Sequence, residues 1–78
     1  MKIIIAKRWF QKLYGNTYHS CEVKEVGKID FRYGYGDHYL NTAAELLGIS
    51  EADLRKDIRN NPADYMIVCV DVDRKKDL

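Results

Sequence analysis

The chain has 78 residues, 46% apolar and 32% charged, with a formal net charge of +1. That length allows one domain, spanning 1–78, whose small core buries only about 60% of the unfolded surface. The charge balance exerts no bulk pull toward nucleic acid, and no run approaches the ~20 apolar residues of a membrane-spanning helix.

Residues 2–12 open on an isoleucine run and read as a strand, although Ala6, Trp9, Phe10 and Leu13 also fit helical spacing. Gly15-Asn16 supplies turn residues that tolerate positive φ, so residues 17–26 become the second arm of a hairpin. In that arm Thr17, His19, Cys21 and Val23 share one face, and Tyr18, Ser20, Glu22 and Lys24 the other. Gly27-Lys28 reads as the next turn. Residues 28–35 then alternate, with Ile29, Phe31, Tyr33 and Tyr35 on one face.

Gly34 and Gly36 end this strand, and Asp37 is placed to cap a helix with the apolar stripe Leu40, Ala43, Ala44 and Leu47. Gly48 closes that helix, and Ser50 caps a second one that buries Leu54 and Ile58 and stops at Asn60-Asn61-Pro62. Residues 65–72, Y-M-I-V-C-V-D-V, read as a strand buried on both faces inside the sheet, and the R-K-K-D-L tail as frayed. The fold expected is α+β, in the order β-β-β-α-α-β. A four-stranded, mostly antiparallel sheet carries its helices on one face, and the other face is open or covered by a second copy in a homodimer.

Charge is unevenly distributed. Residues 1–21 hold Lys2, Lys7, Arg8 and Lys12 and no acid, whereas residues 37–64 hold six acids against three bases. This polarity steers an anionic partner or is simply two solvated faces. Cys21 and Cys69 stand far apart in apolar patterns and are expected to be buried free thiols. The run M-K-I-I-I-A-K is too short for a signal peptide, so a cytoplasmic protein is expected.

Two stretches concentrate binding chemistry. The first, R-W-F-Q-K-L-Y-G-N-T-Y-H, interleaves Arg8 and Lys12 with Trp9, Phe10, Tyr14 and Tyr18 around the hairpin, beside Asn16 and His19. Cations among aromatics suit stacked bases and phosphates, and equally suit protein interfaces; one of Trp9 and Phe10 is expected in the core. The second, Y-G-Y-G-D-H-Y, sets Tyr33, Tyr35, Asp37, His38 and Tyr39 where a strand hands over to a helix. A helix start suits an anion, although Asp37 competes for its amides, and tyrosines packed at a sheet edge would have the same pattern. The spacing G-x-G lacks the third glycine of a dinucleotide fingerprint. Ser20-Cys21 has no nucleophile-elbow context, and the histidines and cysteines lack metal-ligand spacing. No cofactor or catalytic residue is therefore assigned. His38 or His19 would carry the chemistry if the chain were a small hydrolase.

R-W-F at 8–10, G-N-T-Y-H-S at 15–20, Y-G-Y-G at 33–36, Tyr39 and Thr42-Ala43 together resemble a group of small proteins of phages, prophages and archaeal viruses. The resemblance spans residues 6–47. It implies a shared site at Asn16, Tyr18, His19, Tyr33, Tyr35, His38 and Tyr39. It also implies a non-catalytic accessory role in the host cell, binding and blocking a host component such as an antiviral defence complex. Binding of a nucleotide signal or a single-stranded nucleic acid is the alternative.

Overall fold

Three alternating strands, two short helices and a returning strand make up the computed structural model, which describes residues 1–78. The elements are β1 (Lys2–Gln11), β2 (Asn16–Val23), β3 (Gly27–Tyr33), α1 (Tyr39–Leu47), α2 (Glu51–Asn60) and β4 (Tyr65–Val72). Single 3₁₀ turns lie at Pro62–Asp64 and Lys75–Asp77. The class and element order agree with the α+β expectation. The sheet order is β3-β2-β1-β4, with β1 antiparallel to β2 and parallel to β4.

That order corrects the placement of the last strand. β4 is an edge strand, and Met66, Ile67, Val68 and Val70 are exposed. Its unbroken apolar run has the pattern of a strand enclosed on both faces, but beyond Tyr65 the helices do not cover it. α1 packs on β2 and β3, and α2 packs on α1 and the turn at Pro62–Asp64. Cys69 is consequently only half-buried, whereas Cys21 is fully buried and its thiol is pushed up to about 11 by burial. Both cysteines pair with Ala6 from opposite sides. They therefore stand about 9.5 Å apart across two strand spacings, beyond disulfide reach.

Local chemistry sets the helix ends. Ser50 caps α2 by accepting from the Asp53 N–H at 3.1 Å. Gly48 ends α1 at φ 73°, where a side chain would be strained, and its N–H bonds the carbonyls of Ala44 and Glu45. The expected Asp37 cap is not formed. His38 occupies the cap position without a side-chain bond, and the first amides are met by the Asp37 and His38 carbonyls. The Asp37 carboxylate instead takes the Arg55 guanidinium at 2.8 Å, and this partner holds it below the usual carboxylate range. The turn expected at Gly27-Lys28 falls at 24–26, with Glu25 at φ 67°. Gly27 begins β3, where an added Cβ would press on Leu46 at 3.3 Å.

The core is small. Ile4, Cys21 and Val23 on the sheet meet Leu40, Ala43 and Ala44 of α1 and Leu54 of α2. Tyr65 closes one end, and its hydroxyl bonds Asp57 on α2. In place of the expected frayed tail, Lys75–Asp77 form a 3₁₀ turn beside β3, and the Lys75 ammonium lies 4.6 Å from the Phe31 ring centre.

Leu54→Ala should lower stability by about 2–5 kcal/mol, because a fully buried side chain leaves a cavity. Ser50→Ala should cost about 1 kcal/mol through the lost cap. Urea unfolding followed by circular dichroism measures both, and equal losses would mean that the two sites are misjudged.

Candidate functional site

The sheet face away from the helices carries an aromatic ladder. Trp9 and Tyr18 pair across β1 and β2 and stack at 5.8 Å. Tyr18 stacks in turn on Phe31 at 4.7 Å, and Tyr33 meets it edge-on at 5.6 Å. Regular alternation would put Phe31 on the same face as Ile29. A bulge intervenes: His19 pairs with Arg32 but Cys21 pairs with Ile29, so β3 spends one more residue than β2. Ile29 thus shares the helix side with Cys21, while Phe31 and Tyr33 turn to the open face.

Aliphatic side chains continue this face. Ile3 and Ile5 of β1 pair with Met66 and Val68 of β4, and Val70 follows. Tyr33 is 59% exposed, Met66 49%, Val70 45% and Phe31 44%. Lys28 lies 3.2 Å from Asp30 and Lys24 3.9 Å from Glu22, whereas Lys7, beside Val70, and Lys75, over the Phe31 ring, have no carboxylate partner. The face is therefore largely apolar, with Lys7 inside it and Lys75 at its β3 margin.

A second feature lies on the helix side, past the end of α1. A cleft of about 520 Å³ is lined by Arg8, Phe10, Lys12, Thr17, Gly36, Asp71, Val72 and Asp73. Arg8 is committed there: its Nε donates to Asp71 at 2.9 Å and its Nη1 to the Gly36 carbonyl at 3.0 Å. These bonds tie β1 to the end of β4 and to the loop before α1. Lys12 and Asp73 are exposed at the mouth, and Phe10 presents a ring that is 54% exposed. Such a mouth suits a small ligand of mixed charge with one flat apolar part.

His19 is 1% exposed, beneath α1. Its Nδ1 lies 3.3 Å from the Gly34 carbonyl, which can only accept, so Nδ1 carries the proton. Nε2 then accepts from the Thr42 hydroxyl at 2.7 Å. Burial, followed by the proximity of His38 and Arg32, holds the imidazole below its usual value despite the Gly34 bond. A Cβ at Gly34 would lie 2.9 Å from the His38 Cβ and 3.1 Å from the His19 Cε1. Glycine is required there by close approach.

The eleven candidate residues thus fall in four places. Tyr18 and Tyr33 are on the open face. Arg8 and Lys12 line the cleft, with Asn16 at the adjoining start of β2 and Tyr14, 70% exposed, in the turn. Tyr35, Asp37 and His38 are exposed in the loop before α1, where Tyr35 and His38 meet edge-on. His19 is inside, and Tyr39 is half-buried against the core. The hairpin and that loop do approach: the Gly34 N–H bonds the Thr17 carbonyl at 3.0 Å. They do not merge with the tyrosines of the open face into one patch. Neither Trp9 nor Phe10 joins the buried core.

Phe31, Met66, Val68 and Val70, and Asp71 and Asp73 at the cleft, were not singled out by residue type. The apolar run 65–72 was the signal available for four of these, but it read as interior. No three His, Cys, Asp or Glu side chains converge as a metal site, and no helix is long and apolar enough to cross a membrane. No protein-family model, curated protein or solved structure matches the chain.

Because the folded imidazole titrates below the unfolded one, protons favour the unfolded chain. Stability should be unaffected above the usual histidine range and fall as pH drops from about 7 to 5. His19→Gln should remove that segment of a melting-temperature profile and leave the carboxylate losses at lower pH. An unchanged profile would deny the buried neutral histidine. Gly34→Ala should lower the melting temperature through the same crowded contact, and a neutral result would mean that the loop gives way freely.

Proposed function

We propose that this chain is a non-catalytic binding protein that captures a partner protein on the open face of its sheet. The observation that carries the reading is the partly exposed ladder of Trp9, Tyr18, Phe31 and Tyr33, with Met66, Val68 and Val70 exposed on the same face beyond Lys7. Contiguous exposed apolar surface of this kind is characteristic of interaction sites. Trp and Tyr are favoured anchors because they offer large contact area at low entropic cost. Lys7 and Lys75 add positive charge to this face without a carboxylate partner, so the partner surface that fits it is apolar with acidic groups at its margin.

The resemblance to small phage, prophage and archaeal-virus proteins adds the biological setting. The partner is then a component of the host cytoplasm, an antiviral defence complex among the candidates, and binding blocks it. A second reading rests on the cleft. There Phe10 stacks on a base, Lys12 meets phosphate, and Asp73 accepts from the sugar or from an exocyclic amine.

Affinity capture from host lysate, with mass spectrometry of retained proteins and of small molecules released on denaturation, separates the two. Phe31→Ala and Tyr33→Ala should lose the captured protein at least ~10-fold while the melting temperature barely moves, since both side chains are already exposed. Phe10→Ala and Lys12→Ala should leave capture intact. Loss confined to the cleft variants, with a released nucleotide, would replace the first reading by the second.

A further inference from the structure

β4 has the sequence of an interior strand and the position of an edge strand. Residues 65–70, Y-M-I-V-C-V, contain no charge, proline or glycine. One side of β4 bonds to β1, and the sheet ends at the other. Both faces are open there: Met66, Val68 and Val70 on one, Ile67 and half-buried Cys69 on the other. Long apolar edges are blocked in folded proteins by charges, prolines or bulges, because their free N–H and C=O groups template strand pairing. The opposite edge has these devices. β3 carries Lys28, Asp30 and Arg32 and is bulged against β2. The two edges of one sheet are thus of opposite character.

We propose that β4 pairs with β4 of a second copy, antiparallel and centred on Val68, joining two sheets into one of eight strands. The strand is self-complementary in this register. Val68 meets the partner's Val68, Met66 meets the partner's Val70, and Ile67 meets the partner's Cys69. Asp71 then falls opposite the partner's Tyr65, so no two carboxylates face each other. Moving the centre to Cys69 sets Asp71 against the partner's Ile67. Moving it to Ile67 sets Asp64 against the partner's Val70. The two-fold arrangement is closed, because each β4 offers a single free edge, so assembly stops at two copies. It would also enclose the apolar run on both edges, the environment that its composition suits. The two open faces would lie side by side on one continuous sheet. This pairing does not depend on what binds that face.

Sedimentation equilibrium of the full chain at about 100 µM, where pairing of this extent is expected to be populated, should give twice 9.1 kDa. Val68→Lys, at a position already 41% exposed, should weaken association at least ~100-fold by opposing two ammonium groups, with the circular dichroism spectrum unchanged. Register is read independently in a Cys69→Ser background. Under mild oxidation Val68→Cys should cross-link to itself and Met66→Cys should not. A wild-type mass of 9.1 kDa, or equal cross-linking of the two variants, would overturn the proposal. So would a Val68→Lys dimer as tight as wild type. If Val68→Lys fails to fold, the mass and the cross-linking pattern decide alone. Phe31→Ala and Tyr33→Ala should leave the dimer intact, so failure of partner capture and failure of pairing are separate results.

Discussion

Two short helices cannot cover a four-stranded sheet with strands this long. α1 has nine residues and α2 ten, while β1 has ten residues in extended form. At helical rise each helix is about 15 Å long, against about 33 Å for the strand. One sheet face is left bare, and even the covered face is only partly roofed. α1 lies over β2 and β3, the core beneath the helices seals Ile4, Ala6, Cys21 and Val23, and β4 beyond Tyr65 stays outside. The small core, the open aromatic ladder and the exposed edge are consequences of this single shortage.

Polar contacts compensate around the rim of that core. His19 links β2 to α1 through Thr42 and to the preceding loop through Gly34. Arg8 fastens the same loop to β1 and β4, and Arg55 joins Asp37 to Glu51 on α2. Arg32 of β3 reaches Glu45 of α1. Each surface pair contributes little alone. Their value lies in placement, because each spans two elements that share few apolar contacts. The Y-G-Y-G-D-H-Y stretch is therefore mainly a junction. Gly34 admits His19 and His38, Gly36 offers its carbonyl to Arg8, and Asp37 takes Arg55.

Function follows from what the helices leave bare. A largely apolar sheet face and an apolar edge suit recognition by contact area. The cleft at Arg8 and Phe10 is different in kind, small and of mixed charge, and faces the opposite side of the sheet. The two surfaces are independent, so a change in one need not disturb the other.

Local signals determined the elements. Strand alternation, the Ser50 cap, Gly48 and the break at Asn60-Asn61-Pro62 act within a few residues, so the order β-β-β-α-α-β and three of the four helix ends could be read directly. What only the tertiary structure decided involves pairing between distant segments. A one-residue mismatch between β2 and β3 turns Phe31 and Tyr33 away from Ile29, and nothing near Phe31 encodes it. His19 reads as a surface ligand by type, yet Thr42 and Gly34 satisfy both ring nitrogens and permit its burial. Most of all, an apolar run states that a strand prefers enclosure, but not what encloses it. For residues 65–70 the chain's own helices are too short, and the run lies at the edge of the sheet.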